Sequence, residues 1–215
     1  MFTGLIEEIG IISCVTKQSQ GAVISVACAK ILDDLKLGDS VSIDGACQTV
    51  VKLRTNGFDA EAVKETLDLT TFNEYKAGRK VNLERAMPAN GRFGGHIVSG
   101  HIDGVGTFIR KENQGLADVY YFEAPENVAK YIVYKGSICI NGISLTVSSI
   151  ERNVFTVSVI PMTLQETNLP NLSSNNKVNL ESDILAKYVE KFFGAKDNKT
   201  ENITMNYLEK HGFLE

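Results

Sequence analysis

The chain has 215 residues, a hydrophobic content of 43% and a net charge of −4 at neutral pH. That length accommodates one large domain or two of about 100 residues, each able to bury a core of its own. The acidic balance argues against a general nucleic-acid binder and against a basic membrane-surface protein, and no apolar run approaches the roughly 18 residues of a membrane-spanning helix.

The opening, Phe2 to Val15, is rich in Ile and Val with glycine punctuation and is predicted as a strand. It lacks the positive start and apolar centre of a secretion signal. Residues 22–28 predict a second strand, and residues 29–37 a short helix with Ile31, Leu32 and Leu35 inward. Next, Asp44-Gly45 marks a tight turn between two strands, and Asn56-Gly57 marks another. Residues 58–67, FDAEAVKETL, are predicted as one strand, and KVNLERA closes the half.

A glycine-rich joint, residues 87–106, follows, and its glycines let backbone approach a ligand closely. The second half repeats the order: two strands, a short helix over ENVAKYIVYK, and the strand–turn–strand SICINGISLTV. Beyond Glu181, Ile184, Leu185, Tyr188, Val189, Phe192 and Phe193 recur at helical spacing, with Ser182 or Asp183 as the N-cap. This helix either packs on its own barrel or makes an oligomer contact. Residues 194–202 are polar and expected to be loose, and their two Asn-x-Thr matches carry little weight without a secretion signal. The closing ITMNYLEKHGFLE is expected to form an amphipathic turn or two.

The two halves are copies. Moving Ser40–Glu84 by 97 positions lays it on Ser137–Glu181 without a gap. Fifteen of the 45 pairs are then identical, where unrelated segments match at roughly three. The identities include Gly45 with Gly142 and the whole run Lys-Val-Asn-Leu-Glu at 80–84 with 177–181. Gly4, Ile6 and Gly10 fall on Gly100, Ile102 and Gly106 at an offset of 96. Many short strands separated by turn signals predict one barrel or sandwich per half.

Small polar residues recur at matching sites within apolar strands: Ser40/Ser137, Cys47/Ser144, Thr49/Thr146 and Thr66/Thr163. Each one alone is accounted for by a backbone hydrogen bond in a turn. Four pairs together suggest two related pockets lined by hydroxyls or a thiol. The pockets differ, since Cys47 faces Ser144 in the alignment and Lys64-Glu65 faces Pro161-Met162. Two similar sites with different roles suit a reaction that joins two copies of one molecule, where alignment alone lowers the barrier. His101, in the glycine-rich joint, is placed to move protons near neutral pH. His96 and His101 make weak metal ligands without a nearby cysteine or acid at a familiar spacing. Phosphate-loop and dinucleotide fingerprints are absent. The four scattered cysteines predict reduced thiols in a cytoplasmic protein.

MFTGLIEEIG, SIDGACQTV, KETL, VNLERA, GGHIVSGHIDGVG, YKGSICINGISLTV and VNLESDILAKYVEKF occur in an order that resembles the riboflavin synthase family, alpha-chain type, from Met1 to about Phe193. The resemblance implies an all-β fold: two similar six-stranded Greek-key β-barrels in tandem plus a C-terminal α-helix. The expected domains are residues 1–96, 97–181, and 182–215 for the helix and tail. It implies a homotrimer held by those helices, with lumazine synthase as a further partner, no nucleic acid, no membrane, and no metal or redox cofactor. The implied reaction is the dismutation of two 6,7-dimethyl-8-ribityllumazine molecules to riboflavin and 5-amino-6-ribitylamino-pyrimidinedione, between the N-terminal barrel of one subunit and the C-terminal barrel of another.

Carried over by motif, the implied catalytic residues are Ser40, Cys47, His101, Thr146 and Asp183. Substrate contacts are implied from Gly4, Leu5, Ile6, Ala46, Cys47, Gln48, Glu61, Ala62, Val63, Lys64, Glu65, Thr66, Gly100, His101 and Ile102. In the second half they are Lys135, Ser144, Leu145, Thr146, Ile160, Pro161, Met162, Thr163, Leu164 and Gln165. The chain departs from the family pattern at Gln48, usually leucine, at Asp68, usually basic, and at Met162, often Glu or His. The nearest alternative is a non-catalytic lumazine or flavin antenna protein on the same duplicated barrels, against which Cys47, His101 and Ser144-Leu145-Thr146 all speak. A flavin-dependent reductase would need a nicotinamide domain for which the chain leaves no room.

Overall fold

The computed structural model describes residues 1–194, 205–210 and 212. The expected loose run beyond Gly194, with Asn198 and Asn202, lies outside these residues, and of the closing stretch the helix Met205–Lys210 and Gly212 are described. The chain divides into two compact units, residues 1–184 and 185–215.

The larger unit holds two closed six-stranded barrels, as expected. The first is built from β1 (Glu8–Gln18), β2 (Gly21–Ala27), β3 (Ser40–Ile43), β4 (Ala46–Arg54), β5 (Gly57–Val63) and β6 (Lys80–Arg85). The second uses β7 (Gly104–Asn113), β8 (Asp118–Glu123), β9 (Ser137–Ile140), β10 (Ile143–Glu151), β11 (Val154–Val159) and β12 (Lys177–Ser182). Around the first barrel the order is β1-β2-β5-β4-β3-β6, and the second repeats it. Hairpin-linked β3, β4 and β5 with β2 returning beside β5 make a Greek key. Closure leaves no free sheet edge.

Alternation fills each interior. Ala22, Ile24 and Val26 of β2 point inward and meet Val41, Ile43, Phe58, Val81 and Leu83. Tyr120, Phe122, Phe155, Val178 and Leu180 do the same in the second barrel. The cores are separate, one per half.

Four expectations are corrected. The opening strand starts at Glu8, not Phe2, because residues 2–6 leave the first barrel for another task. The predicted helix over 29–37 is a 3₁₀ turn, Lys30–Asp33, whose amides at Ala29 and Ile31 donate to the Glu8 carboxylate. ENVAKYIVYK forms one helical turn, Glu126–Ala129. The strand expected over 58–67 stops at Val63, and a helix Lys64–Leu69 follows, closed by the Thr70 hydroxyl donating to Thr66 O. Its copy, Pro161–Glu166, carries the missed signal: proline at the first helical position.

The repeated Lys-Val-Asn-Leu-Glu now has a physical reason. Val and Leu point into their own barrel, Asn points across to the other barrel, and Glu binds the backbone of residues 3–4 or 99–100. Asn82 donates through Nδ2 to Asn141 O, and Asn179 donates through Nδ2 to Asp44 O, both at 2.8 Å. Asn82 Oδ1 accepts from Asn168 N, and Asn179 Oδ1 accepts from Thr71 N. Asp44 and Asn141 each accept the backbone N–H of the asparagine in their own barrel. Gly45 and Gly142 touch so closely that a Cβ on either would sit within 3 Å of the other's backbone nitrogen. Every one of these residues maps on its partner at the offset of 97, so the barrels are related by an approximate two-fold axis through the two turns.

The backbone pairing of the seam is symmetric, but its side chains differ where Asp44, Thr71 and Tyr75 stand opposite Asn141, Asn168 and Leu172. Asp44 stands where the second half has Asn141, and both are fully buried. The Asp44 carboxylate accepts from Tyr75 OH, Asn82 N and Asn168 Nδ2. Burial pushes its pKa up to about 6 in spite of these bonds.

Asn82→Leu strips partners from Asn141 O and from Asn168 N and Oδ1 at once. Leaving such groups buried and unpaired should cost about 3 kcal/mol or more of unfolding free energy, read by urea denaturation. Asp44 supplies a second outcome. Its folded carboxyl keeps a proton that the unfolded chain loses near 3.8, so its contribution falls as pH rises from about 4 to about 6. The wild type should therefore lose on the order of 2–3 kcal/mol relative to Asp44→Asn over that interval, and equal pH slopes for the two proteins would contradict the assignment.

Candidate functional site

Residues 2–6 and 98–102 are copies, and they trade places. Phe2 and Val98, which match at the offset of 96, pair with each other as an antiparallel bridge beside Cys139 and Cys47. From there each strand end runs onto the opposite barrel. Ile6 packs against the core of the second barrel and Ile102 against that of the first. Gly4 O accepts from Ser144 N, and Gly100 O accepts from Cys47 N, both at 2.8 Å.

Glycine is required at both crossings. Gly4 and Gly100 have φ of +76° and +83°, and an added Cβ would lie 2.6 Å from Ser144 Cβ or 2.5 Å from Cys47 Cβ. The last residue of the repeated run holds each crossing. Glu84 accepts from Thr3 N, Thr3 Oγ1 and Gly4 N. Glu181 accepts from Ser99 N and Gly100 N. Burial raises the Glu84 pKa, and the three donors from Thr3 and Gly4 work against that rise.

On the first barrel this arrangement leaves a hollow of about 350 Å³. Ala46, Cys47, Gln48, Glu65, Thr66, Gly100, His101 and Ile102, all implied by the family motifs, line it together with Leu69 and Thr70. It is large enough for a small ring compound. Gln48 is buried on the inward side of β4. Its Nε2 donates to Cys47 O and its Oε1 has no partner, so an acceptor is left at the wall of the hollow.

The second barrel carries the equivalent parts with different chemistry. Ser144 replaces Cys47, buried Leu145 replaces Gln48, and Leu5 stands where His101 stands in the first half. An imidazole is nevertheless present. His96 Nδ1 lies 2.7 Å from Ser144 Oγ. His96 is buried and its Nε2 has no partner. Burial lowers its pKa, the Asp183 carboxylate opposes that shift, and the ring is neutral at pH 7. The joint thus sends one imidazole to each half, His101 to the thiol side and His96 to the hydroxyl side. Two histidines five residues apart were visible in the sequence; their separate destinations required the crossing of residues 2–6.

The remaining implied residues are distributed as follows. Thr146 lies on the same face of β10 as Ser144 and is paired with Ser137. Ser40 shares a face of the β3–β4 ladder with Cys47 but lines a different hollow, of about 440 Å³, with Thr3, Leu5, Glu84, Arg85 and Arg92. Glu61, Val63 and Lys64 are exposed at the end of β5 and the start of the helix, and Ala62 is in the barrel core. Leu164 packs against the second core, Thr163 is half-buried, and Ile160, Pro161, Met162 and Gln165 are exposed on and before the matching helix. Lys135 occupies a left-handed turn with φ of 62° and rests on the Tyr134 ring, away from the first hollow. Among the described residues no three His, Cys, Asp or Glu side chains are gathered to hold a metal ion.

Comparison with known proteins agrees with this architecture. The model of the lumazine binding domain matches residues 3–86 and again 99–183. The chain is 45% identical to the riboflavin synthase of Actinobacillus pleuropneumoniae over 215 residues, 99% of this chain and all of the relative. It is 43% identical to that of Photobacterium phosphoreum, across the full length of both. The riboflavin synthase of Bacillus subtilis is 42% identical over 99% of the chain and all of its own. Among solved structures, LumP complexed with riboflavin superposes with a TM-score of 0.79 at 27% identity, covering 85% of this chain and 99% of that one. LumP complexed with 6,7-dimethyl-8-(1'-D-ribityl) lumazine gives 0.77 at 26% identity over the same shares. Two lumazine-binding domains in one chain, matched from end to end at this identity, make the chain a member of the riboflavin synthase family, which are transferases.

Proposed function

We propose that the chain forms riboflavin from two molecules of 6,7-dimethyl-8-ribityllumazine, one giving a four-carbon unit to the other and leaving as 5-amino-6-ribitylamino-pyrimidinedione. The observation that carries this reading is the pair of equivalent, chemically unequal sites: Cys47 with Gly100 and His101 on one barrel, Ser144 with Gly4 and His96 on the other. A reaction between two identical molecules needs two similar receptacles that assign different roles.

The methyl at ring position 7 of the donor is acidic because its carbanion delocalises into the ring. In the proposal a base removes that proton, with His101 or a water it holds as the candidate on the first barrel. The neutral His96–Ser144 pair is the corresponding candidate on the second. A nucleophile, water or the Cys47 thiol or the Ser40 hydroxyl, adds at position 7 of the acceptor. The two rings then join, and elimination releases the products. Backbone groups of residues 4–6, 46–48, 100–102 and 144–146 would meet the pyrimidine edge, and Glu65 and Thr66 with neighbouring hydroxyls the ribityl chain. Alignment of the two rings supplies much of the rate enhancement.

The active assembly in this proposal is a trimer in which the first barrel of one subunit faces the second barrel of another. Tyr188, Val189, Phe192 and Phe193 of the helix Ile184–Gly194 are all exposed, an apolar stripe suited to such a contact. A cytoplasmic setting fits the four free thiols.

Incubation of the protein with the lumazine alone should yield riboflavin and the pyrimidinedione in equal amounts; no riboflavin, with tightly held fluorescent ligand instead, would point to an antenna protein. His101→Gln and Cys47→Ser should lower kcat by roughly tenfold or more while binding changes less. Full kcat in both variants would remove these residues from the chemistry.

A further inference from the structure

The approximate two-fold axis has a second consequence, on the side of the seam formed by the turn regions after the helices. On the first barrel's side, Asp44 faces Tyr75, whose hydroxyl donates to Asp44 Oδ2 at 2.7 Å and whose ring is buried. The matching pair in the second half is Asn141 and Leu172. Both changes act in the same direction. Asn141 Oδ1 is taken by Asn179 N, and Asn141 O by Asn82 Nδ2. Its Nδ2 is a donor turned away from those contacts. It has no partner, because leucine supplies no acceptor where tyrosine supplied a hydroxyl. The shorter side chain also leaves space. A hollow of about 370 Å³ opens there, with Asn141 and Leu172 in its lining.

The rest of that lining is polar, with cations in excess. Arg79, Lys80 and Lys177 border it, with Asn168, Asn171 and Asn176 and a single carboxylate, Glu74. None of the three cations forms an ion pair among the described residues. Arg79 is held over the Tyr75 ring at 4.5 Å, and Lys177 Nζ donates to Thr107 Oγ1 at 2.9 Å, so two of the cations are already positioned. Lys80 and Lys177 are the two copies of the lysine that opens the repeated Lys-Val-Asn-Leu-Glu, brought together by the axis. A fully buried, unpartnered amide donor beneath three unpaired cations is the environment of an anion with several acceptor oxygens.

We infer that this hollow between the barrels is a binding site for a phosphate-bearing small molecule, separate from the lumazine sites and independent of the reaction proposed above. Three cations and an amide match the several oxygens of a phosphate dianion better than a carboxylate's two. The space exceeds what a lone phosphate fills, so a phosphate monoester with a sugar-sized body suits it, with free phosphate as the other source of the same chemistry.

The test uses the full chain and isothermal titration with inorganic phosphate and with ribose 5-phosphate, at ionic strength held constant with chloride. Both should give saturable binding that chloride does not reproduce. Tighter binding of the ester would mark a phosphorylated metabolite, and tighter binding of inorganic phosphate the free ion. The double variant Lys80→Gln, Lys177→Gln changes two exposed side chains and should weaken binding at least tenfold. Asn141→Asp keeps the acceptor for Asn179 N while replacing the donor with a negative charge, and should abolish it. Phosphate heats indistinguishable from chloride, or undiminished affinity in the lysine variant, would overturn the site.

Discussion

The structure depends on a small set of buried polar groups that the two barrels can satisfy only together. Asn82 and Asn179 have their own barrel behind them and the other barrel's turn in front. Separated, the barrels would each expose the asparagine amide of the repeated run, a turn carbonyl and a glycine face shaped for its twin. Direct hydrogen bonds are modest in net worth, but buried groups left without partners are expensive. The seam is therefore specified by what it would cost to misalign it, which fixes one mutual orientation. A greasy interface of the same size would tolerate sliding; this one does not.

That orientation is what makes the sites. Glu84 and Glu181 sit two residues beyond the seam asparagines on the same strands, so the alignment of the seam carries directly into the placement of Gly4 and Gly100. The two carboxylates hold backbone N–H groups, and the carbonyls of the same glycines accept from Ser144 and Cys47. A strand thus links barrel packing to pocket shape across only two residues. The thiol–imidazole and hydroxyl–imidazole pairs are products of that linkage, and the asymmetry between them comes from single changes on a shared frame.

Much of this was legible in the amino-acid sequence. The gapless repeat dictated two like halves, the family motifs implied that each is a barrel, and Asp44-Gly45 and the turn of SICINGISLTV marked the turns now found at the axis. The pairing of Cys47 with Ser144 in the repeat marks the inequality of the sites. Other features were not legible, for reasons that can be named. Phe58, Ala60 and Ala62 alternate correctly, and no glycine or proline in the first half tells the strand to stop at Val63; only Pro161 in the copy does. Phe2 to Ile6 reads as strand because its apolar content is that of one, yet it is spent on the neighbouring barrel. His96 has no local mark at all: its bond to Ser144 spans 48 residues and exists only once the crossing is in place. The identical Asn and Glu of the closing run were visible as identities, but a repeat reports that a residue is kept, not which half it serves.

The exchanged opening segments make the two halves share ownership of each site. Drift in the first six residues would be felt by the second barrel, and drift around residue 100 by the first, so neither repeat can wander without its sister following. A single-barrel forerunner with this same lead-in would have had no surface of its own to lay it on and would have needed a second copy of itself. Joining two such copies in one chain keeps the reciprocal embrace while leaving each cradle free to carry its own chemistry.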